Sequence, residues 1–119
     1  MDYQNVERLF KQCRAINREI ECLRAEIEYS KKNRYNVLLP VLEERLNQEE
    51  KIRLEVEDIL STLPPESSLL MRLYYIEKQS STKVAYKMHM SEKTFARRKK
   101  RILQELQEKN SATINSMNL

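Results

Sequence analysis

Apolar residues recur along the first quarter of the chain at Val6, Leu9, Cys13, Ile16, Ile20, Leu23 and Ile27, alternately three and four positions apart. Mostly polar and charged residues fill the gaps. That alternation is the a/d seam of a heptad repeat, which marks a helix with one narrow apolar stripe. It predicts a helix from residue 3 to about residue 31, turning polar at Ser30 and on the order of 40 Å long. Lys31 to Asn36, KKNRYN, breaks the seam and predicts a polar connection. A second helix is expected to start between Val37 and Val41, because Pro40 fits only a first turn, where its missing N–H has no intrahelical partner. It should run to about Thr62, with Leu39, Leu42, Leu46, Ile52, Val56, Ile59 and Leu63 as its apolar positions and Glu49-Glu50 as an interruption. Antiparallel packing of the two helices gives both seams a partner through a short connection. A parallel dimer through the first helix, bringing two Cys13 side chains together, is the rival use of the same seam.

Leu63-Pro64-Pro65 marks a stop and a restart, since the residue before a proline is pushed out of the α region. From Pro65 the spacing of Leu69, Leu70, Leu73, Tyr74 and Ile76 predicts a third helix ending near Lys78. Ser81 is expected to cap a short fourth helix with Val84, Ala85 and Met88 inward. His89-Met90 forms a turn, and Ser91 caps a fifth helix whose buried stripe is Phe95, Ile102 and Leu106. The end, NSATINSMNL from Asn110, is polar and aperiodic and is expected to be a flexible, frayed tail. The predicted fold class is therefore all-α. An N-terminal antiparallel, coiled-coil-like hairpin (1–63) is followed by a three-helix unit (64–109) and the tail (110–119).

Composition sharpens this picture. The chain has no glycine, which a sheet protein of 119 residues would need for its hairpins and bulges. The net charge of +4 is divided unevenly. Residues 1–63 carry eleven Lys/Arg against thirteen Asp/Glu, whereas residues 64–119 carry eleven against five. Such polarity suits a structural first half and an anion-binding second half. No apolar run approaches the ~20 residues of a membrane span, and charges from Asp2 and Glu7 onward argue against a signal peptide. Cys13 and Cys22 fall on different faces of one helix and cannot bond to each other there. Their reading is as reduced thiols of a cytoplasmic protein, one semi-buried and one exposed. With a single His, no Gly-rich phosphate loop and no Cys/His cluster, neither a metal, a cofactor nor an enzymatic activity is expected.

The positive charge has a focus. KTFARRKKR, Lys93 to Arg101, places six basic residues in nine positions with no acid. Upstream, SSTKVAYKMHMSEKT supplies what a helix-turn-helix needs mechanically. Ala85 is small where two helices must approach closely, Met90 can plug the turn, and Ser91 gives the second helix a clean start for entry into a major groove. The residue after the fourth helix needs a positive φ; His89 fills that place where glycine is usual. Tyr74, Tyr75 and Tyr86 could stack on bases, although aromatics at this spacing more often belong to a core.

The segment PPESSLLMRLYYIEKQSSTKVAYKMHMSEKTFARRKKRILQEL resembles region 4 of bacterial sigma factors. The shared features are an apolar run ending in Tyr, a Ser opening the next helix, Val-Ala, a Ser-x-x-Thr cap and a basic helix closing on Ile-Leu and Leu. Joined to a helical pair, it is similar to phage and prophage transcriptional regulators of the ArpU and RinA type. Lys78-Gln79 departs from that pattern, which usually has a glycine there. The resemblance implies a sequence-specific regulator of transcription whose recognition helix, residues 91–107, lies in the major groove of double-stranded DNA. It implies base contacts from Glu92, Lys93, Thr94 and Arg97, with Arg97 suited to a bidentate guanine contact. Lys83, Lys87, Arg98, Lys100 and Arg101 are then expected on phosphates. The expected partners are DNA, with RNA polymerase or a second copy on the N-terminal helices, and no membrane. A small terminase-like packaging adaptor is the alternative, although such proteins usually place the DNA-binding part first.

Overall fold

A chain without glycine and with sustained helical periodicity has little choice but helices, and the computed structural model is all-α. It describes residues 3–33 and 37–117, with side chains over 6–33 and 37–109. Arg34, Tyr35 and Asn36 of the expected connection, and the last two residues of the tail, lie outside the described residues. The helices are α1 (Tyr3–Lys32), α2 (Leu39–Leu60), α3 (Pro65–Met71), α4 (Ser81–Lys87) and α5 (Glu92–Met117); α3 continues into a π-helical turn, Arg72–Ile76. Among the described residues there is no strand.

Helix α2 runs back along α1. At the end of α1, Lys31 pairs with Glu43 at 3.8 Å. At the far end Cys13 of α1 lies within electrostatic reach of Arg53 and Glu57 of α2. Ile20, Leu23 and Ile27 are buried along the seam. Arg24 donates to Glu50 (Nε to Oε1, 3.0 Å) and Arg45 pairs with Glu19 across the same surface. The α1 seam is thus filled within one chain. Cys13 is fully buried, and burial pushes its thiol up to about 11, with Arg53 lowering it and Glu57 raising it. A protonated, enclosed thiol is unsuited to the Cys13 contact that a parallel dimer would bring.

A second stripe on α1 escaped the heptad reading. Phe10 is fully buried and meets Tyr75 edge-on, with ring centroids 5.2 Å apart. One turn on, the Arg14 guanidinium lies 4.3 Å from the centre of the Tyr74 ring. A further turn on, the Asn17 side-chain amide donates to the Ile76 carbonyl. The a/d pattern found only the stripe facing α2; a helix covered on two sides needs a wider apolar face. The core consequently runs from Val6, Phe10 and Cys13 through Val56 and Leu60 to Leu70, Met71, Tyr75, Val84, Phe95, Leu103 and Leu106. The expected division at residue 63 is a turn in the chain, and the core crosses it.

Other boundaries differ by a few residues. The third helix was expected to run regularly to Lys78. Instead its last turn widens, with Glu77 N–H donating to the Arg72 carbonyl at 3.0 Å. It closes where Lys78 takes a φ of +56° and Gln79 N–H donates to the Leu73 carbonyl at 3.0 Å. This is a helix-closing turn of the kind glycine usually serves. The cap of α4 is Ser80, one residue before the expected Ser81, its hydroxyl accepting from Lys83 N–H at 3.2 Å. Helix α5 continues to Met117 through most of the expected tail, since its N-S-A-T-I-N-S residues lack the Gly or Pro that would end a helix.

Glu49, read as a polar interruption, is buried between α1 and α2 beside Arg45 (3.6 Å) and Glu19. Burial raises its carboxyl pKa, a hydrogen bond and repulsion from Glu19 add to the rise, and Arg45 opposes it. A folded-state pKa above the unfolded one means that ionisation weakens the fold as pH rises through that interval. Glu49→Gln should therefore raise stability at neutral pH, and urea titrations should show the advantage vanishing as pH falls below the ordinary carboxyl range. Phe10→Ala should lower stability by roughly 3–5 kcal/mol. Because the core is continuous, denaturation of that variant should remain one transition by every probe.

Candidate nucleic-acid interface

The positions of the basic side chains follow from how α4 and α5 are seated. Val84 and Ala85 of α4 are buried, and Met88 packs against the core. The helix closes in a Schellman motif: Met90 N–H donates to the Ala85 carbonyl at 3.0 Å and His89 N–H to the Tyr86 carbonyl at 3.2 Å. His89 carries the φ of +56° that this geometry demands. Met90 then folds against the core, as the plug expected of the turn. Ser91 opens α5 by accepting from Thr94 N–H at 3.1 Å, and its hydroxyl donates to the Thr94 hydroxyl oxygen at 3.0 Å. The Thr82 hydroxyl donates to the Glu92 carboxylate, tying the start of α4 to the start of α5.

On α5 the underside is Phe95, Ile102, Leu103 and Leu106, all buried. At 3.6 residues per turn the opposite side carries Lys93, Arg97, Arg101 and Gln104, which are exposed. Lys93 and Arg97 have no hydrogen-bond or ion-pair partner among the described residues. Glu92 and Thr94, also expected at base edges, are each held in the local bonds just described, and Thr94 is half-buried. Of the expected phosphate contacts, Lys83, Lys87 and Lys100 are exposed and unpaired among the described residues. Arg98 donates to Glu66 of α3 at 3.1 Å, and Arg101 lies 3.5 Å from Glu105. Both pairs are surface ion pairs, of the sort that contribute ~0–1 kcal/mol and exchange readily for another anion.

Two residues at this surface, Lys99 and Arg14, were not singled out by the sequence as sites; Tyr86 was, as a residue able to stack on bases. Lys99, inside the basic run, turns back under the helix, 4.5 Å from the centre of the Tyr74 ring and 5.5 Å from that of Phe95. Its spacing of four from Phe95 was the available signal. Arg14, four after Phe10, reaches the same tyrosine from α1. Tyr86 is 83% exposed, unlike Tyr75, which is core, and Tyr74, which is half-buried between aromatic and cationic neighbours. With Val84, Ala85 and Met88 facing inward, position 86 can only point outward. No described helix is long and apolar enough to cross a membrane.

A family described as proteins of unknown function, DUF1492, matches residues 30–107, from the end of α1 through the described side chains of most of α5. No curated protein and no solved structure matches the chain.

Removing the α5 cap tests whether the interface depends on this seating. Ser91→Ala should lower stability by about 1 kcal/mol. Circular dichroism should show helix content nearly unchanged, since only the first turn of α5 loses its side-chain acceptor.

Proposed function

The chain belongs to the DUF1492 family, and we propose that it is a sequence-specific double-stranded DNA-binding regulator of transcription, with α4 and α5 acting as a helix-turn-helix. The observation that carries this reading is the outward side of α5. A helix anchored along its underside by Phe95, Ile102, Leu103 and Leu106 leaves Lys93 and Arg97 exposed and unpaired at its capped beginning. Two unpaired cations beside the N-terminus of a helix add to the positive end of its dipole, a combination suited to a polyanion. The resemblance to sigma region 4, and to ArpU- and RinA-type phage regulators, is a further support for the same reading.

In this mechanism the beginning of α5 enters the major groove. Arg97 offers its planar fork to the O6 and N7 atoms of a guanine, and Lys93 reaches a neighbouring base edge. Glu92 and Thr94 chiefly hold the helix start in place. Lys83 and Lys87 on α4 and Lys100 on α5 fix the register through phosphates. Arg98 and Arg101 exchange Glu66 and Glu105 for phosphate oxygens as the duplex docks. The α1–α2 pair remains outside the groove, where it offers a surface to RNA polymerase or a second copy.

Selection of bound fragments from a genomic library, followed by titration of the selected site, tests the reading. Arg97→Ala should weaken binding to that site by roughly 1–3 kcal/mol and relax preference at one base pair. A uniform loss over all sequences would move Arg97 to the phosphate group. Absence of any duplex binding at low salt would overturn the proposal.

A further inference from the structure

Charge in the N-terminal half is itself segregated. Residues 3–18 carry four Lys/Arg against one Glu, while residues 19–63 carry seven against eleven Asp/Glu. The positive part is the first half of α1, and α1 packs on both α5 and the Arg72–Ile76 turn. A basic segment is therefore set against the basic helix, although the acidic remainder of the same hairpin was available to neutralise it.

The contact at its centre is Tyr74. Arg14 from α1 and Lys99 from α5 lie 4.3 and 4.5 Å from the centre of this one ring. The ring face attracts each cation, but the cations repel one another. Neither has a carboxylate partner among the described residues. Lys11, Arg14 and Arg18 are three and four apart, so they share one face of α1. Lys11 is paired with Glu7 at 3.3 Å, and Arg18 is exposed and unpaired among the described residues. On α5, Arg98 on the flank toward α3 is held by Glu66, whereas Lys100 is unpaired.

We propose that Lys11, Arg14 and Arg18 of α1, continued by Lys99 and Lys100, form a second phosphate-contact strip. It engages the backbone of the same duplex beyond the bases under α5. This inference rests on the DNA-binding reading and adds to it a role for α1: the helix buttresses the reading head and also lengthens its footprint. A phosphate within reach of Arg14 and Lys99 would offset the repulsion between the two cations that share the Tyr74 ring. Phosphates further along meet Arg18, which is exposed and makes no hydrogen bond or ion pair among the described residues.

Salt titrations on mixed-sequence duplexes of about 12 and about 30 base pairs, read by fluorescence anisotropy, separate the outcomes. On the longer duplex the negative slope of log K against log salt should become shallower by about 0.9 for each phosphate contact removed in Arg18→Gln and in Arg14→Gln/Arg18→Gln. On the shorter duplex, which α5 and α4 alone can cover, the slopes should match wild type. Arg18→Gln disturbs no packing, so it remains informative even if Arg14→Gln unsettles Tyr74, which a thermal melt would reveal. Unchanged slopes on the longer duplex overturn the strip, as does an equal loss on both lengths, which would place the effect in the seating of α5. Failure of the wild-type chain to bind either duplex at low salt removes the DNA-binding reading itself, and the strip with it.

Discussion

A run of ring contacts joins the two ends of this chain. Phe10 meets Tyr75 at 5.2 Å, Tyr75 meets Tyr74 at 4.8 Å, and Tyr74 meets Phe95 at 5.5 Å, none of them stacked flat. Edge-on and tilted pairs of this kind add ~0.5–1.5 kcal/mol each beyond the area they bury. Their larger effect is geometric. Phe10 belongs to α1 and Phe95 to α5, so the pitch of the basic helix is set from the N-terminal pair as well as from its own short neighbours. The π-helical turn that presents Tyr74 and Tyr75 is fixed in turn by Asn17, which donates to the carbonyl at its end.

That coupling changes what the N-terminal helices are for. A hairpin joined by a linker would leave the cationic helix free to tumble against it. Here α1 and α2 contribute Val6, Phe10, Cys13, Val56 and Leu60 to the same core as α3, α4 and α5. Under the proposed function, docking of α5 on a duplex would position the whole molecule, because the hairpin and the basic helix share one core. The hairpin retains one uneven point, the buried Glu49, whose raised pKa opposes the packing around it. Glu19, which raises that pKa, and Arg45, which lowers it, are its charged neighbours in the seam.

Much of the candidate site was legible residue by residue because it depends on local rules. Ser91 as a cap, His89 at positive φ, Met90 as a plug and Phe95 as the inward residue each follow from the short-range geometry of helix ends and helix faces. What escaped were the residues whose role is set by a second contact. Phe10, Arg14 and Lys99 all meet the Tyr74-Tyr75 pair, which is more than fifty positions from Phe10 and Arg14 in sequence. No periodicity within one helix reveals which side a distant element will cover. Glu66 as the partner of Arg98 was invisible for the same reason.

The sequence by itself determined the helices, their order, the Ser91 cap of α5 and the concentration of positive charge, because backbone propensity, side-chain spacing and net charge act over a few residues. Only the tertiary structure decided that the chain has a continuous core, which cations are already paired, and that the basic half of α1 lies beside the basic helix. The physical reason is that burial and ion pairing are properties of two surfaces. The second surface is supplied by the fold.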